Sequence, residues 1–259
     1  MHNLFGAKSA VRKRSISMLE FQNVSFQVPA GPGQLEIIDE LSFSVERGEF
    51  VVITGPNGGG KSTIARLAMG ISQPTQGRIL FEGADITETP IVERAKLGIG
   101  YAFQQPPRFK GLTIKTLLDL AHGSKLDEAA CCQYLSDVGL CARDYIHREC
   151  DASLSGGEMK RVEIATLMAR RLKLAIFDEP EAGIDLWSFS MLVESFKKIC
   201  KGRHESVIII SHQERIMQLA DRILIVAEGK ITDEGSRDEL LPQLLRELGE
   251  ACDCPMPKC

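Results

Sequence analysis

Phe50-Val51-Val52-Ile53-Thr54-Gly55-Pro56-Asn57-Gly58-Gly59-Gly60-Lys61-Ser62 is the most constraining stretch of the chain. The β-branched apolar run predicts a buried strand, and the glycines after it predict a tight turn. Lys61 then opens a predicted helix that runs to about Ala68, with Gly70 as its stop. Strand, glycine-rich turn and helix in this order make a phosphate cradle. Glycines let backbone N–H groups approach an anion, and the helix start adds the positive end of its dipole. Gly55, Asn57, Gly58, Gly60 and Thr63 are the candidate contacts around it. Lys61 is spaced to reach β- and γ-phosphates, and Ser62 offers a hydroxyl to Mg²⁺.

Two later segments extend that reading. Leu154-Ser155-Gly156-Gly157-Glu158 is a second glycine turn that opens a helix, predicted over Glu158 to Arg171, and therefore a second candidate phosphate site. One chain rarely needs two such sites for one triphosphate, unless the second serves a neighbour's nucleotide. Leu174-Ala175-Ile176-Phe177-Asp178-Glu179 is an apolar strand ending in adjacent carboxylates, at the sheet edge where ligands of open α/β sheets bind. Asp178 is the candidate magnesium carboxylate, and Glu179 the candidate for polarising an attacking water.

The remaining pattern places these motifs in one α/β unit. Strands are predicted at Leu19–Val28, Leu35–Val45, Arg78–Phe81, Gly98–Phe103, Ser206–Ile210, Ile223–Val226 and Lys230–Thr232. Alternation of strands with helices predicts a largely parallel sheet covered on both faces. Between about residues 104 and 152 the texture turns helical, with patterns over Ile114–Ala121 and Asp127–Val138. This stretch is expected to be a helical lobe inserted into the core. The expected organisation is an N-terminal extension over 1–17, one domain over 18–248 and a cysteine-rich tail over 249–259.

Composition narrows the class. The 259 residues are 44% hydrophobic and 25% charged, as in ordinary globular proteins. A net charge of −4 offers no basic field for nucleic acid, which is not an expected partner. No apolar run is long enough to span a bilayer, and the expected location is cytoplasmic. Most of the eight cysteines read as reduced thiols. In the tail, Cys252, Cys254 and Cys259 read either as soft-metal ligands or as free thiols of a loose terminus. Lys8, Arg12, Lys13 and Arg14 resemble a transit peptide in composition, but so short a segment before Met18 is expected to be a disordered extension or to reflect an upstream start codon.

The phosphate loop, the Leu-Ser-Gly-Gly-Glu turn and the apolar run ending in Asp178-Glu179, in that order, resemble the ATP-binding cassette (ABC) family. The likeness covers Met18 to about Leu248. It implies a mixed-sheet α/β ATPase core with a helical lobe, hydrolysing Mg-ATP as a head-to-tail dimer. Ser155, Gly156 and Gly157 would then contact the nucleotide held by the other subunit. The resemblance also implies that His212 contacts the γ-phosphate and that Gln104, at the junction of core and lobe, senses Mg²⁺. Asp185, in Ala182-Gly183-Ile184-Asp185, would lie in a loop reaching the partner subunit.

The match departs at Val28, where many members stack adenine on an aromatic side chain. Gly157-Glu158-Met159-Lys160-Arg161-Val162-Glu163-Ile164 is similar to the corresponding run of the SUF iron–sulphur assembly ATPase, the SufC type. That likeness implies a soluble SUF scaffold as partner. The alternative is the ATP-binding subunit of a membrane transporter, its lobe gripping a transmembrane subunit.

Overall fold

A computed structural model describes residues 17–31, 33–202 and 205–250. The expectations for the basic residues before Ser17 and for Cys252, Cys254 and Cys259 lie outside these residues.

The chain begins with β1 (Leu19–Ala30) and β2 (Gly33–Val45), followed by β3 (Phe50–Thr54) and α1 (Lys61–Met69). β4 (Gln76–Phe81), β5 (Ala84–Asp85), α2 (Ile91–Leu97) and β6 (Ile99–Ala102) complete the first half. The lobe contains β7 (Phe109–Thr113), α3 (Ile114–His122), α4 (Glu128–Asp137), α5 (Ala142–Tyr145) and β8 (Glu149–Cys150). Next come α6 (Gly156–Met168), β9 (Leu174–Asp178), α7 (Leu186–Gly202) and β10 (Ser206–Ile210). α8 (Glu214–Met217), β11 (Arg222–Ala227), β12 (Lys230–Ser236) and α9 (Arg237–Glu250) finish the described fold.

The strands form two main sheets, giving the mixed-sheet core that the family resemblance implies; the largely parallel sheet is one of the two. A six-stranded sheet has the order β12-β11-β3-β10-β9-β6, parallel except at its β12 edge. β1 and β2 instead belong to a four-stranded antiparallel sheet of order β2-β1-β4-β5. Their short connection forces this arrangement, because parallel neighbours need a long crossover. In the lobe, β7 and β8 pair antiparallel across the intervening α3, α4 and α5, a closure that the helical pattern of the segment concealed.

β3 shows how the layers are divided. Val51 and Ile53 face the core shared with the antiparallel sheet and α1, whereas Phe50 and Val52 face the core shared with α6, α7 and the lobe. The period-two alternation of a strand sends its side chains to both faces. A strand buried on both faces therefore reads as an unbroken apolar run, as β3, β9 and β10 do.

The end of α1 is held by an unexpected group. Arg94 of α2 has no exposed surface and donates only to backbone carbonyls: Thr89, Leu67, Ala68, Ile86 and Thr87. Leu67 and Ala68 lie in the last turn of α1, where carbonyls are short of helical donors and carry the negative end of the dipole; Leu67 also accepts from the Gly70 N–H at 3.1 Å. The arginine thus anchors the helix that begins at the phosphate loop.

Candidate active site

The parallel register assembles the site. Ile53 of β3 pairs with Ile210 of β10, which pairs with Asp178 of β9; Phe177 of β9 pairs with Ala102 of β6. The four carboxyl ends therefore deliver the phosphate loop, His212, Asp178-Glu179 and Gln104 along one edge. A pocket of about 480 Å³ opens there, lined by Asn57, Gly58, Gly60, Lys61, Ser62, Thr63, Gln104 and Glu179, with Ile37 of β2 on its wall.

The loop is tight because a neighbouring strand crosses it. A Cβ on Gly60, whose φ is +101°, would lie 2.7 Å from Ile38 Cδ1 and 3.0 Å from the Ile37 carbonyl. Only glycine satisfies both the backbone angle and the approach. Lys61 is buried, and its ammonium donates to the Gly55 and Pro56 carbonyls at 2.8 Å each. Burial lowers its pKa, while Glu179 and Asp178 oppose that shift.

Ser62 donates its hydroxyl to Asp178 Oδ1 at 2.9 Å. Tyr101 of β6 donates to Asp178 Oδ2, also at 2.9 Å. The Ser62 hydroxyl and Asp178 carboxylate are hard oxygen donors beside the phosphate cradle, a set that fits Mg²⁺. When bound, the ion offsets charge on the transferring phosphoryl oxygens. Tyr101 was not anticipated, although its place two residues before Phe103 puts it on a face of β6 at the site edge.

Glu179 has a left-handed backbone, with φ +46°, and its amide donates to the Ile210 carbonyl at 3.0 Å. A non-glycine residue in this region is strained, and such strain concentrates at functional sites. Its Oε2 accepts a 2.7 Å hydrogen bond from the Gln104 amide. His212 stands apart from these two, beyond the loop in a cavity of about 570 Å³, with Nδ1 3.5 Å from Thr54 Oγ1. Burial and the nearby Lys61 charge lower its pKa, opposed by Glu179, which favours the neutral imidazole.

The second glycine turn lies outside this pocket. Ser155 caps α6 with a capping box: Glu158 N–H donates to Ser155 Oγ at 3.2 Å, and Ser155 N–H to Glu158 Oε2 at 2.7 Å. Tyr145 donates to the other Glu158 oxygen, and these bonds hold the carboxyl at about 2. A Cβ on Gly157 would meet the Gly183 carbonyl at 2.8 Å, so the turn packs on the loop leading to Asp185. A Cβ on Gly156 would meet nothing within 4 Å. Asp185 accepts from Trp187 N–H at 3.1 Å and from Ser188 N–H at 3.0 Å, capping α7. Ser155, Gly156, Gly157 and Asp185 thus form their own surface, separate from the pocket of the same chain.

A second feature missed in the sequence is Lys160 of α6, 1% exposed. Its ammonium donates to the Phe103 carbonyl and, at 3.3 Å each, to the Gln104 and Asp178 carbonyls. A lone lysine in the middle of a helix's buried face was the available signal. Val28 does not line the phosphate pocket; Ile37 is the β2 residue that does.

Residues 38–182 match the family model described as ABC transporter. The chain belongs to the ABC family. This cassette is an ATPase that uses Mg-ATP. It is 38% identical over 226 residues to "Uncharacterized ABC transporter ATP-binding protein MJ0035" of Methanocaldococcus jannaschii, covering 84% of this chain and 90% of that one. It is 32% identical to "Probable ATP-dependent transporter ycf16" of Antithamnion sp., covering 80% and 88%. Among solved structures, the cassette superposes on the dimeric ATP-binding cassette MJ0796 bound to ADP and Pi with a TM-score of 0.75. That match has 24% identity and covers 85% of this chain and 99% of that one. A bacterial Atm1-family ABC exporter with ATP bound gives a TM-score of 0.77 at 27% identity, covering 91% of this chain and 42% of the exporter.

Proposed function

We propose that the chain is the ATP-hydrolysing subunit of a membrane transporter, working as a head-to-tail dimer of cassettes. The observation that carries this reading is an apolar groove of about 620 Å³ between α2, α3 and α6. Its lining includes Phe103, the residue before Gln104, whose amide holds Glu179. A partner helix seated in the groove would touch the backbone next to the residue that controls the catalytic carboxylate. The relatives MJ0035, an ABC transporter ATP-binding protein, and ycf16, a probable ATP-dependent transporter, favour a transporter role. No helix among the described residues is long and apolar enough to cross a membrane, so the reading assigns that task to a partner.

Within the dimer, Gly55, Asn57, Gly58, Gly60, Lys61 and Thr63 hold the phosphates, and Ser62, Asp178 and Gln104 face the magnesium ion. Glu179 orients the attacking water and accepts its proton, while His212 contacts the γ-phosphate. Ser155, Gly156, Gly157 and Asp185 serve the nucleotide of the opposite subunit. Support for this last assignment is the open space at Gly156 and the apolar surface after Asp185, where Leu186 is 74% and Trp187 87% exposed.

The SUF reading is kept as a second one because Lys160 and Glu163, from the run that resembles the SUF ATPase, both grip Phe103 at this junction. Isolating the Glu179→Gln chain from its own cells, from soluble and detergent-solubilised fractions, separates the two. A polytopic membrane partner is expected. A soluble scaffold in its place would overturn the transporter role and leave the ATPase intact.

A further inference from the structure

The apolar groove contains one unsatisfied acid. Glu163 of α6 lines it with Phe103, Leu117 and Leu120. Its Oε1 accepts the Phe103 N–H at 2.9 Å, but Oε2 is buried without a hydrogen-bond partner. Among the described residues only Glu181 Oε2 shares that condition, and it does not line the groove.

The charges around Glu163 are already engaged. Lys160, one turn earlier, donates to three carbonyls, the last of them that of Asp178. Lys96 of α2 pairs with Glu93 at 2.8 Å, and Lys115 of α3 with Asp119 at 3.2 Å. Arg170 donates to the Ala95 carbonyl at 3.1 Å. Burial pushes the Glu163 carboxyl up to about 7, opposed by the Phe103 N–H and by Lys160.

A segment that covers the groove removes the solvent from around a side chain whose Oε2 is already buried. A wholly apolar cover would leave an acceptor without a donor, or force the acid to stay protonated. A cover that brings a cation satisfies Oε2 and gains a charge-assisted bond.

We propose that the partner helix seated in this groove carries a lysine or arginine that pairs with Glu163, which makes Glu163 the specificity-determining residue of the docking surface. This rests on the groove being the partner-binding surface.

The test places a photo-reactive residue at Leu120, on the groove and 66% exposed, in the full chain within its own cells. Mass spectrometry of the cross-link identifies the partner segment. The expected segment is helix-forming and contains a lysine or arginine. Replacing that residue by alanine, or Glu163→Gln, weakens the complex at least about thirtyfold, and the double variant loses little more. Affinity of the unaltered chain rises as pH increases through about 7, since a cation prefers the ionised acid, and Glu163→Gln abolishes that slope. A purely structural Glu163 would change thermal stability without coupling to the partner residue. A segment with no lysine or arginine, additive losses, or an affinity that falls with rising pH overturns the proposal. Cross-linking that maps no partner to Leu120, with a partner still bound, defeats the groove reading itself.

Discussion

Gln104 donates its side-chain amide to Glu179 Oε2 over 2.7 Å, tying the end of β6 to the end of β9 inside the phosphate pocket. A carboxylate oxygen accepting an amide proton is less available to accept one from water. Withdrawing Gln104 releases it, and Gln104 is one residue from the groove. On the proposed reading, this bond is what would couple partner binding to hydrolysis.

Glu179→Gln keeps the shape of the site but removes the carboxylate proposed as its base. ATP binding is expected to persist while turnover falls at least about a hundredfold. Single-turnover hydrolysis and nucleotide titration measure the two quantities. A near-normal rate would remove Glu179 from this role.

Tyr101→Phe deletes one donor to Asp178 without altering strand packing. Asp178 then keeps only Ser62 to orient it. The expected result is a several-fold higher Mg²⁺ concentration for half-maximal ATPase rate, with thermal stability lowered by about 1 kcal/mol. An unchanged magnesium requirement would make the tyrosine structural alone.

Arg94→Ala removes the side-chain donor from five carbonyls, those of Leu67, Ala68 and Ile86 in buried bonds, and opens a cavity beside Gly70. A loss of about 3–5 kcal/mol is expected in chemical denaturation, from the lost buried hydrogen bonds and the cavity left by the side chain. Lys at this position keeps the charge but lacks the fork, so it recovers only part.

The central motif was legible because each step depends on local rules. The apolar run before Gly55 predicted a strand, glycines predicted the turn, and Lys61 opened the helix where the structure starts α1. The boundaries of β3 and β10 agree with their apolar runs. What the sequence concealed is long-range. Whether β1 joins the parallel sheet depends on its neighbours, β2 and β4, rather than on its own alternation. Tyr101, Lys160 and Arg94 act through partners 77, 57 and 27 positions away, and no spacing rule connects them. The role of Ser155 as the cap of its own helix was readable, since Glu158 follows three residues later.

Glu158 supplies a pH test. Its carboxyl is held at about 2 by Tyr145, Ser155 and Arg148, below the ordinary 4.5. Its contribution is present above about pH 4.5 and is lost as pH falls towards 2. Glu158→Gln should therefore be less stable than the unaltered chain at neutral pH, and the difference should shrink across that acid window. A constant difference would mean that packing, not charge, holds the turn.

The shared site is tested most directly by mixing two inactive chains. Lys61→Ala removes the phosphate lysine; Gly156→Asp puts a negative charge on the opposite surface, where the open space at Gly156 accommodates it without disturbing the fold. Each mutant alone builds only defective sites. A mixed dimer contains one site with an intact Lys61 facing an intact Gly156. The measurement is ATPase activity of the mixture against each mutant alone. The account predicts activity in the mixture that neither chain shows by itself, rising with total protein concentration. No recovery while mixed dimers demonstrably form, or full activity in the Gly156→Asp chain alone, would contradict it.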